Sequence, residues 1–392
     1  MSKQFKLFDV SSVCFNSYLT DRRNPPRPLH LRQCDFNDNY DFGIIFVDIF
    51  FDSIDSIVHC IGAPLYNTTD ILEFNNILLK RSVNVHQNCI LRHIAYDYPK
   101  ISIRYMDRTN HYLLNYKMML KPKILQFNNY GNLNFNIINQ NESEILRNKR
   151  VVLLKNKDNQ MHWIKDFCDY YKKIHKADAI LIYDSSELYT SKSLLNYLKD
   201  KVDISIIIVR WPVPFGPTAI DGSAWDSDYS LYLMYEHARY RFLTYSKSVL
   251  HVDIDELVVS NKNLSIFEYT EKLNKTVFFD GRWVVNNLKS DKYSYKDMHY
   301  LYKLGSKDRA VIKWCTIPRQ IENIQWRVHD IYNFVDNKII NLELDDNFET
   351  RHFIAITSGW RSQMRLKATT EDLTKFEDCI ILRKVFNVMQ WN

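Results

Sequence analysis

The sequence predicts an α/β protein with a mostly parallel sheet flanked by helices, preceded by a β-rich N-terminal module. Three observations predict it. From Arg150 to Val259, apolar runs of strand length alternate with amphipathic runs of helical spacing. The first 145 residues instead hold short strand-like runs separated by Asn, Asp, Pro and Gly. Finally, the apolar run SVLHV ends in Asp253, Asp255 and Glu256, so negative charge gathers where a buried strand would emerge.

In the N-terminal part, GIIFVDIFF (43–51), ISIRYM (101–106) and ILQF (124–127) read as strands, and 35–41 and 132–144 as loops. RVVLLKN (150–156) then reads as an apolar strand. In HWIKDFCDYYKKIH (162–175), Trp163, Phe167, Tyr170, Tyr171 and Ile174 recur at helical spacing. ADAILIYDSS (177–186) is a second strand, and SKSLLNYLKD (191–200) a second helix with Ser191 as its cap. DISIIIVRW (203–211) is the third strand, 228–246 a long helix, and SVLHVDID the fourth strand. Asp228, in the loop sequence Asp226-Ser227-Asp228, reads as that helix's N-cap. Repeated βα units with apolar strands imply parallel pairing and right-handed crossovers. The expected divisions are 1–147, 148–365 and a mostly helical 366–392.

The bulk properties narrow the function. Eight glycines in 392 residues, with no GxGxxG and no GxxxxGK[ST], exclude the common glycine-rich phosphate loops. A net charge of +6 suits an anionic ligand or peripheral contact with acidic lipid headgroups. No basic stripe interleaved with aromatics is present, which argues against a nucleic-acid partner. Seven scattered cysteines with no CxxC read as free thiols in a reducing compartment. No apolar run is long enough to span a bilayer, and the longest, Gly43 to Phe51, contains Asp48. The expectation is a cytoplasmic protein, at most peripheral to a membrane.

In open α/β sheets, ligands bind beyond the carboxyl ends of the strands. Lys155, Asn156, Asp184, Arg210, Asp253 and Asp255 all fall at those ends. Unpaired carboxylates are costly to bury, so the acidic cluster is either solvated or held by a cation. Asp253 and Asp255 are two residues apart and point the same way in extended chain. They can bring oxygens to Mn²⁺ or Mg²⁺, hard cations that take carboxylate and water ligands. Such a cation can hold a diphosphate. The plainer alternative makes Asp253 a turn cap and Asp255 a solvated side chain.

The stretch KNKDNQMHWIKDFCDYYKKIHKADAILIYDSS, followed by MYEHARYRFLTYSKSVLHVDIDELVV, resembles glycosyltransferases of the GT-A (Rossmann-like) fold. The resemblance is to the family 92 (DUF23-like) and bacterial glycosyltransferase-2-like groups and covers roughly residues 148–370. Lys313, Pro318 and His329, then His352, Ser358 and Lys367, follow in the order those groups show. The loop DSSE departs from their commoner Asp-Asn-x-Ser.

The resemblance implies a metal-dependent, inverting transferase using a nucleotide-sugar donor, a UDP-sugar, and a glycan or glycolipid acceptor, while the sequence itself leaves a retaining mechanism open. It implies that Asp253 and Asp255 bind the metal with His329 as third ligand, His352 being the competing candidate. Lys155, Asn156 and Asp184 would face base and ribose. Lys313 would reach the diphosphate, unless it is a solvated surface group. Arg239 and Arg241 either contact phosphate or face solvent or an Asp. The catalytic base is not readable, with Asp280 and Glu322 the available carboxylates. A nucleotidyltransferase-like metal enzyme and an inactive carbohydrate-binding protein are the competing classes. KNKDNQ has no glycine, which counts against the former.

Overall fold

A computed structural model describes residues 3–14, 23–25, 27–63, 77–80, 96–97, 100–106, 109–115, 124–127, 133–214, 216–217, 229–288, 292–303, 309–319, 324–333, 338–340, 342–358 and 366–391. Asp228 and Glu322 lie outside them. The chain forms two compact units, residues 1–9, 144–211 and 243–392 in one, and 10–143 and 212–242 in the other. These units interleave along the sequence, so they differ from a linear division at two places. Phe5–Phe8 joins the larger unit as an edge strand, and the helix Tyr229–Ala238 belongs to the smaller.

The larger unit holds an eleven-stranded sheet. Its parallel half runs Phe5–Phe8, Ser205–Arg210, Ala179–Asp184, Arg150–Asn156, Ser248–His251. Counted from Arg150, the order is 3-2-1-4, which reverses between Arg150–Asn156 and Ser248–His251. A crevice opens at such a reversal. The remaining strands are added mainly antiparallel, through Arg309–Thr316 and Val277–Val284 to Tyr300–Tyr302 and Phe376–Asp378. The fold is thus the expected mixed α/β sheet flanked by helices. C-terminal to Leu366 it is less helical than expected: Phe376–Asp378 extends the sheet, and only Ile380–Met389 forms an α-helix.

The parallel strands form because their residues are apolar on both faces. Val151 to Leu154, Ile180 to Tyr183 and Ile206 to Val209 are all fully buried. The helix Met161–His175 turns Trp163, Ile164, Phe167, Tyr170 and Tyr171 onto this layer. The second helix, Ser191–Lys199, is capped by Thr190, one residue earlier than expected. Thr190 Oγ1 accepts from Ser193 N at 3.1 Å, while the Ser191 hydroxyl donates to Asp184 at 2.6 Å.

Among the described residues, the strand Glu256–Ser260 pairs on one side only, with Phe348–Phe353. Its other edge is satisfied by side chains. Tyr171 OH donates to Glu256 O (2.8 Å) and accepts from Val258 N (3.2 Å). Tyr170 OH donates to Val258 O at 2.5 Å, and His175 Nε2 bonds the same oxygen at 2.6 Å. The helix face that reads as merely apolar therefore completes the ladder of a sheet edge, which would be costly to bury unpaired.

The smaller unit contains a six-stranded sheet built on the hairpin Ile44–Asp52 and Ile57–Gly62, and a four-stranded one. Its helix Tyr229–Ala238 is buried on every residue and continues into a π-helical turn, Arg239–Leu243. Asp48, inside the apolar strand, is fully buried and accepts from Ser11 N, Asn139, His237 and Arg241 at 2.8–2.9 Å. Burial would raise its pKa. His237 and Arg241 outweigh that and hold it at about 2. Of the alternatives for Arg241, phosphate, solvent or an Asp, its Nη1 takes the Asp.

Candidate metal centre

The fourth parallel strand pairs His251 with Leu153 on one side and with Trp314 on the other. Two residues later the chain turns, with Glu256 N donating to Asp253 O at 3.0 Å. Ile254 and Asp255 form the turn itself. The turn is pinned from outside: Phe353 N donates to Asp255 O at 2.7 Å, and Tyr295 OH to Ile254 O.

This turn divides the three carboxylates between two partners, Lys313 and His352. Asp253 Oδ2 accepts from Lys313 Nζ at 2.5 Å. Glu256 Oε2 lies 3.1 Å from the same nitrogen and accepts from Asp253 N at 2.8 Å. Asp255 Oδ2 lies 2.9 Å from His352 Nε2. His352 is opposite Glu256 in the antiparallel pair and beside Trp283 in a parallel one. Its Nδ1 is 3.4 Å from Glu256 Oε1, and its ring stacks on Trp283 with centroids 3.9 Å apart.

Asp255, Glu256 and His352 form the cluster whose donor atoms all lie within 4.8 Å of one another. All three are buried, and among the described residues Glu256 Oε1 accepts no hydrogen bond. A buried carboxylate oxygen without a donor, beside a second carboxylate and an imidazole, fits a divalent cation of the Mn²⁺ or Mg²⁺ class.

Charge is distributed unevenly here. Burial raises the pKa of both Asp253 and Glu256. At Asp253 the Lys313 ammonium and His251 outweigh burial, and its carboxyl sits below the usual range. At Glu256 burial wins, reinforced by Asp253 and Asp255, so its pKa is raised. Burial alone would lower Lys313, but Asp253 and Glu256 hold it above the ordinary lysine value.

The other residues singled out from sequence are placed as follows. His329 is exposed, with Nδ1 3.0 Å from Ile312 O, and is not in the cluster. Lys313 is fully buried and engages carboxylates. Lys155 is buried and donates to Ser185 Oγ at 2.5 Å; burial pushes its pKa well down, against Asp184. Asn156 Nδ2 lies within hydrogen-bond distance of Asp184 Oδ1 (2.8 Å), Ser186 Oγ (3.0 Å) and Tyr189 OH (2.9 Å). Asp184 also accepts from Ser186 Oγ and, on its second oxygen, from Ser191 Oγ, each at 2.6 Å. Lys155, Asn156 and Asp184 thus knit the loops beyond two adjacent strands together. Asp280 lies at an irregularity between Val277–Val284 and Arg309–Thr316.

Glu256 and Trp283 carry no assignment from sequence. Glu256 was visible as the third acid of DIDE, but its role depends on a strand pairing nearly a hundred residues away, which spacing does not reveal.

No known protein family and no curated protein matches the chain. Among solved structures it is similar to core-mannan synthase A (CmsA/Ktr4) of Aspergillus fumigatus, solved in a Mn/GDP form. That match has 8% identity and a TM-score of 0.25, over 36% of this chain and 44% of that one. It is also similar to HddC of Yersinia pseudotuberculosis (10%, TM-score 0.26, 52% of this chain and 90% of that one). A third is the mannosyltransferase Ktr4p of S. cerevisiae (10%, TM-score 0.22, 37% and 40%). The chain spans less than half the length of the first and third. At such scores the likeness does not bear on what this chain binds.

Proposed function

We propose that the chain is a metal-dependent glycosyltransferase, moving a sugar from a nucleotide-sugar donor, a UDP-sugar, to a glycan or lipid-linked acceptor with inversion. The observation that carries this reading is the Asp255–Glu256–His352 cluster at the carboxyl end of the sheet, beside the reversal of strand order. These three residues would hold Mn²⁺ or Mg²⁺, the imidazole favouring the former. A bound cation there supplies the positive charge that holds a diphosphate and stabilises its departure.

The chain's own residues supply the frame. Trp283 fixes the plane of the His352 ring. Tyr171 and Phe348–Phe353 hold the Glu256 strand from both sides. Lys155, Asn156 and Asp184 line the adjoining strand ends on the nucleotide side of the proposed site. Among the described residues, no helix is long and apolar enough to cross a membrane. The net charge of +6 supports peripheral contact with an acidic surface carrying the acceptor, on the cytoplasmic side.

The test is a panel of sugar nucleotides incubated with the protein and Mn²⁺, with products resolved by chromatography. Release of a nucleoside diphosphate, lost on chelation and in Glu256→Gln, supports the reading. Consumption of a sugar nucleotide only when pyrophosphate is added, yielding a nucleoside triphosphate and a sugar 1-phosphate, would assign a nucleotidyltransferase instead, and consumption of no donor would remove the enzymatic reading.

A further inference from the structure

Lys313 stands apart from the other lysines at the strand ends. It is fully buried, and its ammonium lies 2.5 Å from Asp253 and 3.1 Å from Glu256. Its place follows from register. Trp314 pairs with His251 and Lys313 with Phe279, so the side chain rises from the middle of the sheet into the turn. Glu256 then faces two ways, one carboxylate oxygen on Lys313 and the other towards His352. A fixed cation thus shares a carboxylate with the group that would hold a mobile one.

We propose that Lys313 is an internal counter-ion that keeps the Asp255–Glu256–His352 site weak for a divalent cation alone, so that the metal is retained mainly when an anionic diphosphate arrives with it. This rests on the metal-site reading above and concerns the order and strength of binding. Lys313 cancels the charge of one of the three carboxylates and takes an oxygen of Glu256, so a dication alone meets less negative charge than the acids by themselves would present. A diphosphate adds negative charge and oxygen ligands of its own. Lys313 acts through Glu256 and Asp253 and is a positioning residue; it touches no substrate in this scheme.

The probe is Mn²⁺ alone, titrated by calorimetry and by loss of its free-ion EPR signal, with and without UDP. In the wild type, UDP should tighten Mn²⁺ binding at least about tenfold. Lys313→Met removes a charge a few ångströms from the site, and Mn²⁺ alone should bind at least about tenfold more tightly. A merely structural lysine would move affinity the other way, because losing it would disorder the ligands. The charge-matched double variant Asp253→Asn/Lys313→Met also guards against a single variant that does not fold. It restores the wild-type balance and should return Mn²⁺ affinity to near the wild-type value.

Equal or weaker Mn²⁺ binding in a folded Lys313→Met protein, or a double variant that binds as tightly as Lys313→Met, overturns the counter-ion role. The metal-site reading survives that result if wild type still binds UDP with Mn²⁺. No Mn²⁺ binding by any variant, with or without UDP, overturns both.

Discussion

Glu256 and His352 face each other directly across an antiparallel strand pair, with 3.4 Å between Oε1 and Nδ1. Asp255 reaches the other ring nitrogen of the same histidine at 2.9 Å. Asp255→Asn, Glu256→Gln and His352→Ala should each weaken Mn²⁺-dependent UDP binding by at least about tenfold, the scale seen even for groups one shell further from a metal. His329→Ala should change it little. Calorimetric titration of the four variants checks this.

Tyr171 holds the strand that carries Glu256 with two hydrogen bonds, one given and one accepted. Phenylalanine would fill the same space but leave Glu256 O and Val258 N buried without this partner. Each such loss costs about 1–3 kcal/mol. Tyr171→Phe should therefore lower unfolding stability by about 2–6 kcal/mol, measured by urea titration, with the denaturant slope unchanged.

His175 is buried with Nε2 on Val258 O (2.6 Å) and Nδ1 accepting from Ile266 N (3.2 Å). That arrangement requires the neutral ring, because a proton on Nδ1 would displace the Ile266 bond. Burial lowers its pKa from 6.5 to about 4, against the Val258 bond. The unfolded chain therefore binds this proton first. The contribution is complete above pH 6.5 and is lost as pH falls through 4, amounting to about 3 kcal/mol. A stability-against-pH series should show this loss in wild type, with a shallower slope between pH 6.5 and 4 in His175→Gln.

Gly281 lies at the irregularity in Val277–Val284, opposite Thr350 of the strand that presents His352. A Cβ there would overlap both the Thr350 hydroxyl and its backbone carbonyl. The carbonyl cannot rotate away, so the strands must separate. Gly281→Ala should cost at least about 1–3 kcal/mol and weaken Mn²⁺ binding with it. Thermal melts and the same calorimetry read both effects.

Much of the frame was legible because it is local. Arg150–Asn156 is bounded as its apolar run implies, and the helix at 161–175 follows from 3.6-residue spacing. The parallel order follows from short βα connections. What the sequence hid depends on distant pairing. Asp253 and Asp255 look like one pair because alternate residues of a strand share a face, but the chain turns at Ile254 and Asp255, and Asp253 meets Lys313 while Asp255 meets His352. Glu256 gains its neighbour only when residues 348–353 arrive alongside. Tyr170 and Tyr171 look like core, and only an unpaired strand edge shows why they carry hydroxyls.

The most direct measurement is calorimetric titration of UDP into wild type and His352→Ala, each with and without Mn²⁺. Binding in wild type should depend on Mn²⁺ and be lost in His352→Ala, while a thermal melt shows that variant still folded. Binding that is independent of Mn²⁺, or equal in the two proteins, would contradict a metal–diphosphate site at Asp255, Glu256 and His352.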